Sequence, residues 1–334
     1  MAVTRLLRDV ILGPDRAARM RVSRLLGGAS HDTFLVRWTG EPLEGLNAVT
    51  LRLRRDGSAR HSTKSHNEAQ VLARIGGWLG PRLLWFDDDG EWPERPAMCL
   101  EFLEGQERLL HDASPRDLEA LGKAVGELHN IEPAPGLLPH ARPVPGATYA
   151  SELVTWFESE LVRKPFPGSG LERRIHEDAM AALAVATASL ERSAGAEQFG
   201  KQGSWSLLHD DLVDPNIVWD ANGAPRFIDW EDTRIGDPAE ELAYIVSEAE
   251  LNDLQQEHLW RGYSATRPDA DLDGVRLRME GWGPIVAIAS IRWWLDRVVR
   301  IKRGESEAAM AGRPVSFHAG HLRVRLERFN ATWQ

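Results

Sequence analysis

The sequence predicts an α+β protein with a small β-rich N-terminal part and a larger, mostly helical C-terminal part. Apolar and polar residues alternate in several short segments up to Phe102, and apolar residues recur at helical spacing from Ser114 onward. The composition, 43% apolar and 27% charged, is that of a globular chain. We expect two lobes, formed by residues 1–104 and 105–334.

The first lobe is predicted to contain mainly strands. Alternation predicts them at 22–26, 33–38, 48–53, 82–86 and 97–102, and an apolar side at helical spacing predicts one helix at 65–76. A glycine pair within 27–30 separates the first two strands and predicts a tight turn.

The second lobe is predicted to be helical. Ser114 followed by Pro115 is a typical helix start, because serine caps the free N–H groups and proline fits the first helical position. Further helices are expected at 149–163, at 170–193 and from Pro238 to the C-terminus. The proline-rich stretch 132–145 is expected to be a loop within the lobe.

Composition narrows the partners. A net charge of −10 argues against nucleic acid, which is bound by clustered Lys and Arg. A single cysteine, Cys99, excludes an internal disulfide and suits a reducing compartment. No apolar run is long enough to span a bilayer. We therefore expect a cytoplasmic protein without a membrane partner, and the sequence leaves its oligomeric state open.

Two motifs carry the chemistry. The first places His209, Asp211 and Asn216 in the form H-x-D-L-x-x-x-N, and the second places Asp229 in Ile-Asp-Trp-Glu after a short apolar run. Protein kinases use such a pair for phosphoryl transfer: the first Asp accepts the proton of the attacking hydroxyl, and the Asn and the later Asp bind Mg²⁺. The alternatives are a loop cap for Asp211 and a turn residue for Asn216.

The block from Leu207 to Trp219, the run Phe227–Glu231 and the continuation Gly-Asp-Pro at 236–238 resemble the aminoglycoside phosphotransferase and choline kinase-like family. Glu241-Leu242-Ala243 follows, with Glu where the family more often has Asp. The resemblance covers about residues 20–300 and is specific only in the motif block. It implies a bilobal, protein-kinase-like fold, Mg²⁺ as cofactor and ATP or GTP as co-substrate.

The resemblance implies catalytic roles for Asp211, Asn216 and Asp229, with the last two as metal ligands. His209 is interpreted as structural. Trp230 and Glu231 replace the Phe and Gly of the protein-kinase signature, and the missing glycine argues against a mobile switch loop. Glu231 is expected either to help position metal or substrate, or to pair with a nearby base.

On the nucleotide side, Arg52 stands where the family places a phosphate-binding Lys, and Glu68 is expected to pair with it. An arginine grips phosphates as a fork rather than a point charge. The other predicted nucleotide contacts are Gly28 and Ser30 in a phosphate-covering turn, and the backbone of Glu101 and Leu103 around adenine. Cys99 is interpreted as a packing residue.

The acceptor is less defined. Residues 201–250 contain twelve acidic and three basic residues, which is nearly the whole negative excess, so a cationic hydroxylated acceptor is expected. The alternative is a solvated helix face. Asp214, Glu231, Glu248 and Trp294 are the candidate acceptor contacts, with core packing as the alternative for the tryptophan.

The sequence therefore predicts a Mg²⁺-dependent small-molecule O-phosphotransferase that acts on an aminoglycoside-like antibiotic or an amino alcohol. Two alternatives remain: a kinase for a neutral metabolite or another antibiotic, and a nucleotide-binding sensor without transfer activity. Intact Asp211, Asn216 and Asp229 argue against the sensor, whereas Arg52 in place of Lys leaves room for it.

Overall fold

The computed structural model describes residues 2–25, 31–54, 59–87, 96–132, 146–159, 171–192, 205–268, 271–304 and 314–333. Within these ranges the predicted α+β architecture is confirmed: an antiparallel sheet comes first, and helices dominate the remainder. The boundary after residue 104 stays a prediction. The predicted loop at 132–145 lies almost entirely outside the described residues.

The described strands of the first part form one antiparallel sheet in the order β1-β2-β3-β5-β4. Helix α3 connects β3 to β4 and begins earlier than predicted. An N-terminal segment of helices α1 and α2 and an intervening π-helical stretch, Leu7–Leu12, precedes the sheet. The bounds are α1 (Ala2–Leu6), α2 (Pro14–Ala17), β1 (Met20–Leu25), β2 (His31–Trp38), β3 (Ala48–Arg54), α3 (Ala59–Ile75), β4 (Leu83–Asp87) and β5 (Ala97–Glu101).

Strand β3 places two arginines on one face of this sheet, because its side chains alternate between the two faces. Leu51 and Leu53 are fully buried in a core that the N-terminal segment closes. Arg52 lies between these two leucines, and Arg54 follows Leu53. Successive side chains of a strand point to opposite faces. Both arginines therefore face α3, where Arg52 meets Glu68.

The second part is built from helices. Ser114 caps α4 in a reciprocal pair with Asp117, which confirms the predicted helix start. The helices at 149–163 and 170–193 correspond to α5 and α6. The bounds are α4 (Pro115–His129), α5 (Gly146–Phe157), α6 (Leu171–Arg192), α7 (Pro238–Glu248), α8 (Asp253–Ala265), α9 (Leu272–Arg303) and α10 (Val315–Trp333).

Helices α4 and α8 approach each other backbone to backbone through glycines. A Cβ atom on Gly122 would lie 2.0 Å from the carbonyl oxygen of Leu259, and one on Gly262 would lie 2.0 Å from that of Glu119. A side chain at either position would force these helices apart.

Two short antiparallel ribbons present the motifs. Strands β6 (Ser206–Leu208) and β9 (Arg234–Gly236) pair with each other, as do β7 (Ile217–Trp219) and β8 (Pro225–Phe227). Gly223 adopts a φ of 80° in the turn between β7 and β8, a conformation that glycine adopts without strain. In the part of the chain that the structure describes, no helix combines the length and apolarity needed to cross a bilayer.

Candidate active site

The loop between β6 and β7 carries the first motif, and Glu241 of α7 anchors it. Glu241 accepts the backbone N–H of Asp210 at 2.7 Å, and its other oxygen lies 2.8 Å from Nε2 of His129. Asp210 adopts a φ of 69°, which non-glycine residues seldom adopt. Its carboxylate accepts two hydrogen bonds from Arg234, at 2.7 and 2.9 Å. The hydrogen bond to Glu241 and the Asp210–Arg234 ion pair thus fix the backbone just before Asp211.

Asp211 has hydrogen-bond donors on both carboxylate oxygens. Tyr244 of α7 donates its hydroxyl to Oδ1 at 3.0 Å, and the Asn216 amide donates to Oδ2 at 2.8 Å. Burial raises the pKa of Asp211 to about 7, although the Tyr244 hydrogen bond opposes the shift. Because each carboxylate oxygen can accept more than one bond, Asp211 keeps capacity for an acceptor hydroxyl. Its basicity suits proton transfer near neutral pH.

Asn216 and Asp229 are brought together by the backbone. The N–H of Ile228 donates to the carbonyl oxygen of Asn216 at 2.9 Å, which places Asp229 beside it. The Asn216 amide nitrogen bonds Asp211, so its amide oxygen is directed elsewhere. Asp229 is held in the left-handed region, at φ 65° and ψ 59°, and its carboxylate is partly exposed.

These two side chains offer hard oxygen ligands, which is the donor set that Mg²⁺ prefers. In the described ranges, no group of three or more His, Cys, Asp or Glu is arranged to hold a metal. A magnesium ion that binds one or two protein side chains together with nucleotide phosphates needs no such cage. The residues present therefore fit Mg²⁺.

Arg52 joins the two lobes at this site. Its guanidinium contacts Glu68, donates to Oδ1 of Asp229 at 2.6 Å and lies 3.0 Å from Nδ1 of His31. Glu68 is buried, and burial raises its pKa to about 7 although the charge of Arg52 opposes the shift. The pairing of Arg52 with Glu68, predicted from the sequence, is thus present in the structure.

The residues after Asp229 form a second set of ion pairs with the first lobe. Glu231 lies 3.5 Å from Arg54, and Asp232 contacts Lys64 of α3. Of the two interpretations of Glu231, pairing with a base is the one that these contacts favour. Trp230 between them is fully buried. This loop is therefore tied to the sheet and to α3.

The predicted adenine contacts lie where the chain leaves the sheet. The N–H of Glu101 donates to the carbonyl oxygen of Arg82 at 2.9 Å, and its carboxylate accepts from Arg226 of β8 at 3.1 Å. Leu103 is buried just beyond the end of β5. The N–H of Glu101 is thus engaged by the sheet, and the adenine contacts at Glu101 and Leu103 stay a prediction. Gly28 and Ser30 lie outside the described residues.

His209 and Asp214 hold the motif loop between β6 and β7 in place. His209 is fully buried, directs Nε2 to the carbonyl oxygen of Ile228 at 2.9 Å and packs against Trp230, with ring centroids 4.4 Å apart. Asp214 accepts the N–H of Leu110 at 3.1 Å. Asp214 therefore links the loop to the start of the helical lobe, and a contact with the acceptor stays a prediction.

The acidic excess of residues 201–250 is largely neutralised by bases from other segments. Arg278 of α9 donates to Asp237 at 2.7 Å, and Arg325 of α10 donates to Glu248 at 2.8 Å. Four further acidic residues pair with a base from outside the segment, namely Asp229 (Arg52), Glu231 (Arg54), Asp232 (Lys64) and Glu250 (Arg328), whereas Asp210 and Glu240 pair with Arg234 inside it. The charge run in the sequence is therefore not a run of free charge in space.

A cavity of about 680 Å³ opens among α7, α8, α9 and α10. This volume lies within the range typical of small-molecule sites. Glu248, one turn after Tyr244 on α7, lines its wall. Residues four apart lie on the same face of a helix, so Tyr244 and Glu248 share one face of α7. This helix therefore leads from the Asp211 site to the wall of the cavity.

Trp294 packs among side chains of α10. Its ring stacks on His321 at 4.4 Å, and the Arg325 guanidinium lies 5.1 Å from its centroid. The neighbouring Trp293 is covered by Arg297 at 3.0 Å. Protein groups already occupy these ring faces, which favours packing over an acceptor contact.

Sequence reasoning missed Tyr244 and the cavity. Tyr244 lies three residues after Glu241 on the same helix, so both meet the motif loop from one face. That spacing was the available signal. The cavity had none, because its four helices come together only in the fold.

The family model of the phosphotransferase enzyme family matches residues 21–277. No curated protein matches the chain significantly. Among solved structures, an ethanolamine kinase of Plasmodium vivax has a TM-score of 0.68 at 13% identity, covering 98% of this chain and 87% of that one. A choline kinase from Cryptosporidium parvum Iowa II has a TM-score of 0.66 at 14% identity, covering 98% and 96%.

A spectinomycin phosphotransferase in complex with ADP and spectinomycin has a TM-score of 0.63 at 9% identity, covering 94% of this chain and 92% of that one. These likenesses show a shared fold, with a small antiparallel sheet followed by a mostly helical part. The family match spans most of the chain and includes both motifs. The chain therefore belongs to the phosphotransferase enzyme family, as its motifs predicted, and is a phosphotransferase with the bilobal, protein-kinase-like fold.

Proposed function

We propose that this protein transfers the γ-phosphoryl group of ATP, or alternatively of GTP, to a hydroxyl group of a small molecule. The observation that carries the proposal is the group of residues that surrounds Asp211. This carboxylate is held by Tyr244 and Asn216, directly beside Asp229 and the interlobe Arg52. Such an arrangement is suited to proton transfer next to bound phosphates.

In the proposed reaction, Asp211 orients the acceptor hydroxyl and takes its proton while the new oxygen–phosphorus bond forms. The bond from the γ-phosphorus to the bridging oxygen breaks on the opposite side. Arg52 binds phosphate oxygens with N–H groups that its protein partners leave available, since a guanidinium carries five. Mg²⁺ held by Asn216 and Asp229 would neutralise phosphate charge when bound.

The acceptor is proposed to bind in the cavity beside Tyr244. The acceptor belongs to one of two classes, amine-bearing or neutral molecules. An amine-bearing acceptor is supported by the names of the solved relatives, which are an ethanolamine kinase, a choline kinase and a spectinomycin phosphotransferase. A neutral acceptor is supported by the ion pairs that neutralise the acidic excess.

The test incubates the full chain with Mg²⁺ and ATP or GTP against a panel of hydroxylated amines, sugars and antibiotics, and identifies phosphorylated products by mass spectrometry. For a reacting acceptor, Asp211→Asn should lower kcat by roughly 10²–10⁴-fold while nucleotide binding persists. Asp220→Asn, in the exposed β7–β8 turn, is the matched control. A rate near wild type in the Asp211 variant would remove it as the base. Tight Mg²⁺–ATP binding without any product would favour the sensor.

A further inference from the structure

The cavity beside Tyr244 carries charges of both signs in equal number. Its acidic lining residues are Glu248, Glu250 and Glu280, and its basic ones are Arg276, Arg325 and Arg328. Although Glu248 and Glu250 belong to the acidic stretch of the sequence, the structure supplies each with an arginine from α10.

The pair nearest Tyr244 is also the most constrained. Arg325 donates Nη2 to Glu248 at 2.8 Å and Nε to the hydroxyl of Ser290 at 2.7 Å, and it lies against the ring of Trp294. The side chains of Arg325 and Glu248 are only 18% and 11% exposed. Arg325 cannot turn away from Glu248 without also losing its hydrogen bond to Ser290.

Next to the Arg325–Glu248 pair, this compensation disfavours charged ligands. An ammonium group that approaches Glu248 also approaches the fixed guanidinium of Arg325, so attraction and repulsion largely cancel while the amine loses its hydration. A carboxylate approaching Arg325 meets the same problem with Glu248. A hydroxyl group has no such conflict, because it can donate to the carboxylate and accept from the guanidinium.

The rest of the wall is suited to an uncharged, partly apolar molecule. Trp260, Phe329 and Trp333 offer aromatic surface, and Gln256, Ser290 and Thr332 offer neutral hydrogen-bonding groups. Ligand pockets typically combine such apolar surface with a few placed polar groups. A polyhydroxylated ring system with an apolar face, such as a neutral oligosaccharide, presents the matching chemistry.

We propose that the cavity selects an uncharged, polyhydroxylated acceptor, and that the Arg325–Glu248 pair excludes amine-bearing ones. This inference rests on the proposed function for the identity of the cavity as acceptor site. It replaces the cationic acceptor expected from the sequence with a neutral one.

The test measures binding to the full chain by calorimetry without nucleotide, so that its outcome is separate from that of phosphoryl transfer. The probes form three classes: neutral (maltotriose, sucrose and N,N′-diacetylchitobiose), amine-bearing (chitobiose, kanamycin and choline) and acidic (glucuronic acid). Wild type should bind at least one neutral probe roughly tenfold or more tightly than any charged one. The proposal is overturned if an amine-bearing or acidic probe binds more tightly than every neutral probe, or if no neutral probe binds.

Two variants test the role of the pair in opposite directions. Arg325→Gln leaves the Glu248 carboxylate uncompensated and should shift the preference at least tenfold toward the amine probes. Glu248→Gln leaves the guanidinium uncompensated and should shift it toward the acidic probe, and this variant remains informative if the first does not fold. Unchanged class preference in folded variants overturns the role of the pair.

Discussion

Tyr244 donates its hydroxyl to Oδ1 of Asp211 across 3.0 Å, while Glu241, one turn earlier on α7, bonds the backbone of Asp210. One helix face therefore fixes both the backbone and the carboxylate of the proposed base. The same helix continues to Glu248 at the cavity. Helix α7 thus connects the proposed base to the proposed acceptor cavity.

Tyr244→Phe removes one hydrogen bond from Asp211 without changing the shape of the core. A hydrogen bond to a charged group contributes about 1.5–3 kcal/mol, so kcat should fall roughly 10- to 100-fold while the KM for nucleotide is unchanged. Steady-state kinetics with both substrates varied makes this distinction. Thr187→Val is the control, because the hydroxyl it removes donates to the carbonyl oxygen of Leu183 in α6 instead of contacting Asp211. An unaltered kcat in the Tyr244 variant would contradict a positioning role.

Arg52→Lys keeps the positive charge but loses the planar fork. A lysine cannot satisfy Glu68 and Asp229 with the same geometry, so we expect a loss of roughly 2–4 kcal/mol in the free energy of unfolding. The KM for nucleotide should rise as well. Denaturant titration and kinetics measure the two effects. Arg24→Lys, in an exposed pair with Asp32, should change stability by less than about 0.5 kcal/mol. Equal effects at the two positions would refute a special role for Arg52.

Asp229→Asn tests the metal ligand with little disturbance of the backbone, because asparagine tolerates the left-handed region. Loss of the charge should raise the Mg²⁺ concentration needed for nucleotide binding by roughly tenfold or more. Nucleotide titrations at several Mg²⁺ concentrations provide the readout. Asp232→Asn removes a neighbouring carboxylate that contacts Lys64 and should leave this requirement unchanged. Identical behaviour of the two variants would argue against Asp229 as a ligand.

In the Glu241→Gln variant, the free energy of unfolding should depend less steeply on pH under acidic conditions than in wild type. Burial alone would raise the pKa of Glu241, but the hydrogen bond and charge of His129 outweigh it and hold the pKa below its ordinary 4.5. A lowered folded pKa stabilises above the unfolded value, and that stabilisation is lost as the pH falls through the folded one. As the pH falls below about 4.5, the free energy of unfolding of wild type, measured by denaturant titration, should therefore drop more steeply than that of the variant. Parallel profiles would disprove this linkage.

Gly122→Ala should destabilise the helical lobe although alanine is the better helix former. The added Cβ meets the Leu259 carbonyl oxygen at 2.0 Å, so α4 and α8 must separate. We expect a net loss of about 1–3 kcal/mol in thermal or chemical unfolding. Gly320→Ala in α10 meets no atom within 4 Å and should gain about 0.5–1 kcal/mol from helix propensity alone. A stable Gly122 variant would show that these helices can separate at little cost.

The sequence predicted most of the fold because the signals were local. Alternation located the strands, and the Ser114 cap located the start of α4. The ends of the elements were predicted less well than the elements themselves. The start of α3 at Ala59 was missed because the first turn has no apolar spacing in the sequence. Nothing local in the sequence shows that the N-terminal segment covers the sheet, because this contact forms only in the fold.

Local charge in the sequence was a poor guide to charge in the site. Residues 201–250 suggested a cationic acceptor, yet Arg278, Arg325 and Arg328 reach that segment from α9 and α10. These partners lie far along the chain, and only folding brings them within hydrogen-bond distance. A count over a sequence window cannot include them.

The sequence by itself determined the family, the two motifs and their chemical roles as hypotheses, because those residues lie close together along the chain at characteristic spacings. The tertiary structure decided which residues surround them: Tyr244 on Asp211, Arg52 between Glu68 and Asp229, and the charge-compensated cavity. The reason is physical. Motif spacing is set by local backbone geometry, whereas burial, pKa and charge compensation depend on side chains that approach through space from distant segments.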